Sequence, residues 1–336
     1  MIKRGGYTIV LVLLVCFSGK AQDIHWSQFD YNPVFQNPAN VGHFDGGDYR
    51  VHVNYRDQWR SVTVPFQTFA ASGEVKNILM GRLSVGGFVV SDVVGDGRFR
   101  TVELQPIVSW LQPIDADSVH LLRVGGQIGL NYRQLNADAF TFDSQWNGAN
   151  FDQSLPTNEM FMSESHWNAN LGMGMSYEWL RAKRERLVVG TGLFNINRPN
   201  QGFFGEDIKR PMRFNLFIRA RYPLGFDLDL LPSIQFNTQG SYRETMIGSL
   251  VRYTIKDRLG EYKALVGGLY LRGRDAGVFV AGMEWQNWWG GISYDLNVSK
   301  LVPASRYRGG IEFSLRYIWK QFKTNDVKYR VCPDYI

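Results

Sequence analysis

The feature that most constrains this chain is a two-residue alternation of apolar and polar side chains, repeated in segments of about ten residues. The first segment begins at Tyr49. Tyr49, Val51, Val53 and Tyr55 fall on one parity, and Arg50, His52, Asn54 and Arg56 on the other. That is a strand with one apolar and one polar face. Leu122, Val124, Ile128, Leu130 and Tyr132 repeat the pattern against Arg123, Gln127, Asn131 and Arg133. Phe214, Leu216 and Ile218 do so against Arg213, Asn215, Arg219 and Arg221, and Phe313, Leu315 and Tyr317 against Glu312, Ser314 and Arg316. Soluble sandwiches alternate too, but with shorter strands. Here Tyr177, Trp179, Tyr222, Trp285, Tyr317 and Trp319 put aromatic rings near strand ends on the apolar parity. The class predicted is all-β, an antiparallel transmembrane β-barrel whose aromatics form an interfacial girdle.

Counting such segments predicts 14 strands between residues 49 and 322, or 12 if 242–255, which alternates poorly, is not one. An even number suits a closed single-chain barrel. With both termini periplasmic, the connections 59–66, 92–97, 135–166, 198–210 and 300–308 face outward. The short ones, 78–80, 112–118, 180–186 and 223–226, face inward. Long outside and short inside is the outer-membrane arrangement.

Residues 1–21 read as a secretory signal peptide, with Lys3 and Arg4 before an apolar core from Thr8 to Phe17 and a Gly19-Lys20-Ala21 cleavage site. The apolar run falls short of the roughly 20 residues of a spanning helix. The predicted order is leader 1–21, a polar and aromatic segment 22–48, the barrel 49–322 and a periplasmic tail 323–336. Losing Lys3, Arg4 and Lys20 with the leader takes the net charge from +6 to +3, which makes no case for nucleic acid. Cys16 leaves with the leader, so Cys332 alone remains, too few for a disulfide framework or a thiolate metal site. The five histidines show no metal-binding spacing. No cofactor and no catalytic residues are expected. His52 with Asn54 is the nearest fragment of a catalytic set, and no nucleophile stands beside it.

Three regions are candidates for function. In the segment 22–48, Asn32-Pro33 and Asn37-Pro38 impose an extended, turned path. Trp26, Phe29 and Tyr31 argue for an ordered segment tucked into the lumen rather than a disordered leader. On the polar parity, Arg50, Arg56, Arg123, Arg219 and Arg316, joined by Arg133, Arg213 and Arg221, outnumber Glu178, Glu284, Asp295 and Glu312. They read either as a cross-paired interior or as an anion- or peptide-binding lumen. Leu135 to Ser165 is the longest non-periodic stretch, and Phe140, Phe142, Trp146, Asn147 and Phe151 mark it as a surface for an exported protein or as a lid. Asp92 to Arg98 reads as a hairpin turn rather than a cation loop.

Gln28-Phe29, Asn32-Pro33, Asn37-Pro38-Ala39 and the run Asn54-Tyr55-Arg56-Asp57-Gln58-Trp59 resemble the opening of the PorP/SprF family, and Val331-Cys332-Pro333 resembles its ending. These are outer-membrane proteins of the type IX secretion system of Bacteroidetes. The resemblance implies a role in exporting large surface proteins, anchoring them through a C-terminal sorting domain, and in some species gliding motility. It also implies a secreted cell-surface protein as partner, and a periplasmic peptidoglycan-binding protein on the inner face. The competing expectation is a passive outer-membrane pore or small-solute transporter.

Overall fold

The computed structural model describes residues 23–320, apart from 61–63, 96, 137–139, 158–163, 204–205, 259 and 300–301. The expected leader 1–21 and the tail 323–336 with Cys332 lie outside the described residues. Fourteen strands follow one another: β1 (Tyr49–Gln58), β2 (Phe66–Val75), β3 (Leu83–Val94), β4 (Phe99–Pro113), β5 (His120–Gln134), β6 (Ser165–Ala182), β7 (Glu185–Phe194), β8 (Arg213–Pro223), β9 (Leu228–Gln239), β10 (Tyr242–Arg258), β11 (Glu261–Arg272), β12 (Ala276–Trp285), β13 (Trp288–Asn297) and β14 (Arg308–Trp319). Each pairs with its sequence neighbours. The sheet closes where β1 meets β14, with Tyr49 opposite Trp319 and Gln58 opposite Gly310. Closure leaves no unpaired edge, as a β-protein in lipid requires. No helix among the described residues is long and apolar enough to cross a membrane. The strands cross instead.

The parity read from the sequence sets the two faces. In β1, Arg50, His52, Asn54 and Arg56 are buried, while Val51 and Val53 are exposed on the outside. In β6, Leu171, Met173 and Met175 face outward, and Asn170, Ser176 and Glu178 point in. Aromatics girdle the short-turn end. Trp288, Tyr317, Trp319 and Tyr49 form a continuous run of rings across β13, β14 and β1, at centroid spacings of 4.4, 5.5 and 5.2 Å. Trp110, Trp179, Tyr222, Tyr253 and Trp285 extend it around the barrel. Such rings sit where hydrocarbon gives way to headgroups.

Two departures have physical causes. β10 is a full strand of 17 residues, hydrogen-bonded on both sides, so the count is 14 and the alternative of 12 falls away. It alternates poorly because its inward side chains Met246 and Leu250 are apolar as well. They pack in a buried cluster with Phe29, Tyr31, Val278, Val280 and Trp289. Pro106 in β4 and Pro232 in β9 pair with Gly87 and Ser249 on one side and interrupt the ladder on the other. A proline has no N–H to give a second neighbour. Asp92 to Val94 end β3, and the turn to β4 is closed by Arg98 N–H donating to Gly95 O at 3.1 Å.

Candidate functional site: the filled lumen and the outer loop

Residues 23–48 run inside the barrel. They make three short helical turns, Phe29–Tyr31, Pro33–Gln36 and Pro38–Asn40, the last two begun by a proline. Pro33 and Pro38 each stand at a first helical position, where a missing N–H costs nothing. Asn37 caps the third turn by accepting from Ala39 N–H at 2.8 Å. Its amide then donates to Met175 O at 3.0 Å and Thr191 O at 2.9 Å, joining the segment to the backbone of β6 and β7. Inward glycines make this approach possible. A Cβ on Gly174 would lie 2.0 Å from Asn37 Oδ1, and one on Gly125 would lie 2.5 Å from Ala39 N.

Two apolar clusters and several ionic ones hold the segment. Trp26, Val34 and Val41 pack with Ala70, Phe88, Val90 and Ile107 of β2–β4. On the other side Phe29 meets Tyr270 at 4.9 Å, and Tyr31 stacks on Trp289 at 3.9 Å with Arg316 above it at 5.7 Å. Burying such a side chain stabilises by about 1.5–3 kcal/mol, so the apolar contacts supply most of the attachment and the polar ones fix its register. Glu312 accepts from Ser27 N–H at 2.7 Å and Gln28 N–H at 3.1 Å, and Ser314 Oγ donates to Gln28 Oε1 at 2.6 Å. Arg56, 1% exposed, pairs with Asp295 at 2.8 Å and Glu312 at 3.0 Å and also donates to Ser27 Oγ. The Gln-Phe, Asn-Pro and Asn-Tyr-Arg motifs therefore meet in one interior network.

The remaining lumen arginines divide by partner. Arg50 grips Glu74 with two hydrogen bonds, at 2.6 and 2.8 Å. Arg123 pairs with Glu178 at 2.7 Å, and Arg316 with Glu284 at 3.4 Å. Arg219 lies over Phe217 and reaches Asn40 at 3.4 Å. Arg133 donates to Gln201 and stacks on Phe99. The parity count of acids is too low: Glu74, Glu103, Asp229 and Glu244 also face inward, and the segment brings Asp23 and Asp30. Acids on an irregular segment follow no parity, so alternation could not find them.

At the outer end Asp23 is clamped by Arg210 at 2.7 Å and Arg213 at 3.1 Å, and Gln239 Nε2 donates to it at 2.9 Å. Burial alone would raise its carboxyl. The charges of Arg210 and Arg213 and the hydrogen bonds outweigh that and bring it down to about 2. Arg210, from the β7–β8 connection, also pairs with Glu103 at 2.7 Å, so this outer loop holds the start of the segment. The space left there is about 50 Å³, lined by Asp23, Trp26, Gln105 and Arg210 among others. Among the described residues no cluster of His, Cys, Asp and Glu could hold a metal ion.

The β5–β6 connection folds on itself. Gln145 is buried in an otherwise exposed loop, accepting from Phe142 N–H at 3.1 Å and donating to Leu155 O at 3.3 Å. Asn147 closes a turn, with its N–H donating to Asn150 O, and Trp146 bridges to Phe151 across it. Trp146 is 56% and Phe151 43% exposed. Phe140 packs instead on Gly97 of the β3–β4 turn and near Phe142. Of the five loop residues singled out from sequence, the structure thus brings Trp146, Asn147 and Phe151 into one hairpin. Phe140 and Phe142 serve as its footing.

A sequence profile described as type IX secretion system membrane protein PorP/SprF matches residues 18–317. The chain belongs to that family. A comparison with curated proteins gives no match. Among solved structures, this PorP/SprF chain is similar to the Ralstonia pickettii toluene transporter TbuX, with TM-score 0.53, 9% identity, and 85% of this chain and 93% of that one covered. It is also similar to the CymD monoaromatic hydrocarbon channel, with TM-score 0.51, 10% identity and coverage of 90% and 95%. At such identities the likeness is one of fold. Closed barrel, aromatic girdle and family together place the protein in the outer membrane as a multi-pass barrel. The family and fold are those of a membrane component of secretion, not of a known enzyme class.

Proposed function

We propose that this PorP/SprF protein anchors exported surface proteins at the outer membrane, gripping their C-terminal sorting domain with its outer loops. The observation that carries this reading is the self-folded 140–157 loop. It holds Trp146 and Phe151 largely exposed on a hairpin braced by Gln145. Exposed aromatics on a rigid support are the usual anchors of a protein interface, and holding them in place lowers the ordering cost of binding. The β7–β8 connection stands next to the start of β6, with His166 Nε2 3.0 Å from Asn200 O, and offers a second contact. A lumen occupied by residues 23–48 supports an anchor over a conduit. The periplasmic partner implied by the family belongs to the opposite face.

The test is recovery of a secreted protein with the tagged barrel from native outer membranes in mild detergent. With Trp146→Ala and Phe151→Ala combined, recovery is expected to fall at least tenfold, since truncating two anchors costs about 2 kcal/mol or more each. The unboiled variant should keep the gel mobility of a folded barrel. Undiminished recovery by a folded variant would remove the loop from the mechanism.

A further inference from the structure

The ion pairs inside the barrel change character from one mouth to the other. Toward the long-loop end carboxylates outnumber the arginines that hold them: Arg210 and Arg213 serve Asp23 and Glu103, and Arg56 and Arg272 serve Asp295, Glu312, Glu244 and Asp275. Toward the short-turn end the ratio inverts. Asp229 is shared by Arg184 at 2.6 Å and Arg221 at 2.8 Å, and Glu284 by Arg252 at 3.1 Å and Arg316 at 3.4 Å. Glu178 is shared by Arg123 and Arg186, and on the rim Glu261 sits between Lys256 and Lys263. With Asp45, which pairs with Arg186, and the pairs Arg50–Glu74 and Arg181–Glu185, ten cations stand among seven carboxylates in the ion pairs here. Arg186 Nε and Arg316 Nε are buried without a hydrogen-bond partner.

Cations forced to share a carboxylate keep part of their positive potential, and a concave mouth with apolar walls focuses it. Arg184, Arg221 and Arg316 remain 30%, 22% and 21% exposed. An apolar element stands beside them. Arg184 Nη1 donates to Phe226 O at 2.5 Å, and the Phe226 side chain on that turn is 96% exposed, with Leu224 next to it also exposed. Arginines beside an exposed aromatic fit a polypeptide better than a phosphate or a sugar acid, which would leave the ring in water.

We infer that the periplasmic mouth docks an acidic polypeptide segment carrying an apolar side chain, the acids meeting Arg184, Arg221 and Arg316 and the apolar group meeting Phe226. This is separate from the outer-loop grip and does not depend on it.

The experiment uses the full chain in detergent micelles and a fluorescein-labelled pentapeptide of four glutamates around one phenylalanine. Anisotropy is read at low and high salt. The peptide is expected to bind, and more weakly as salt screens the charges. Arg184→Gln with Arg221→Gln should weaken it at least tenfold, and Phe226→Ala several-fold. Arg60→Gln, which removes one charge at the outer rim, should leave it unchanged. Should the double variant fail to fold, Arg316→Gln and Phe226→Ala provide the same reading. No binding by the folded wild type, or binding indifferent to Phe226→Ala and to the arginine changes, overturns the proposal. So does equal affinity for a uronate oligomer of matched charge, which would assign the mouth to an acidic glycan.

Discussion

At the scale of single residues, Arg56 ties wall and interior together. It is almost fully buried between Asp295 and Glu312, the same carboxylates that receive Ser27 and Gln28. Arg56→Leu leaves Glu312 without a cation, and breaking a buried pair on one side costs about 3–5 kcal/mol. The expected outcome is a lower urea midpoint of the folded barrel in detergent, partly relieved by also changing Glu312 to Gln. Asp23 makes a pH-dependent contribution. Its carboxyl lies at about 2 in the folded protein against about 3.9 unfolded, so the native state holds the proton less tightly. The stabilisation, about 2–3 kcal/mol, is present above the unfolded value and disappears as pH falls through the folded one. Wild type and Asp23→Asn should therefore differ in stability at pH 5 and converge near pH 2, measured by urea titration at each pH. A constant difference across that range would mean that Asp23 acts by packing alone.

At the scale of elements, the segment 23–48 and the strands around it explain each other. Wherever the segment is apolar, the wall facing it is apolar too, which is why β10 to β12 lose their alternation. Wherever the segment comes closest, the wall has glycine. Gly174→Val sets a branched side chain against Asn37 and Pro38 while leaving the hydrogen bonds of β6 to β5 and β7 in place. The barrel is expected to close as before with its interior segment displaced. That would raise single-channel conductance in planar bilayers well above the wild-type level, with unchanged strand content by circular dichroism. Wild-type conductance in a folded Gly174→Val barrel would show that the segment tolerates the wall moving. The outer loop belongs to the same scale. Its aromatics were legible in sequence because a long non-periodic stretch between two strands needs a reason for carrying them. That Gln145 turns inward and braces the hairpin was not, since a polar residue in a polar loop gives no periodic signal.

At the scale of the whole molecule, the barrel is a wall with two different mouths. At the outer mouth the β7–β8 connection reaches inward, and its Arg210 pairs with both Asp23 and Glu103. The inner mouth is rich in arginine, with short turns and the exposed apolar tips Leu224 and Phe226. A wall of 14 strands buries its polar face only if something fills it, and 26 residues of segment between Asp23 and Asp48 supply that filling. The likeness to TbuX and CymD is one of overall fold. The family match spans segment and wall, over residues 18–317.

Sequence by itself determined the wall. Period-two alternation has one structural meaning for segments this long, the aromatic ends pointed to the membrane, and the asymmetric connections set the expected orientation. It also showed the Gln-Phe, Asn-Pro and Asn-Tyr-Arg motifs, but not that they touch. Only the tertiary structure decided that Arg56, from a strand, would meet Ser27 and Gln28 through Glu312, 256 residues further along the chain. The reason is physical. Alternation follows from backbone geometry, which repeats every two residues and can be read locally. The interior pairs follow from barrel closure, which sets distant strands opposite one another in a register that no local pattern records.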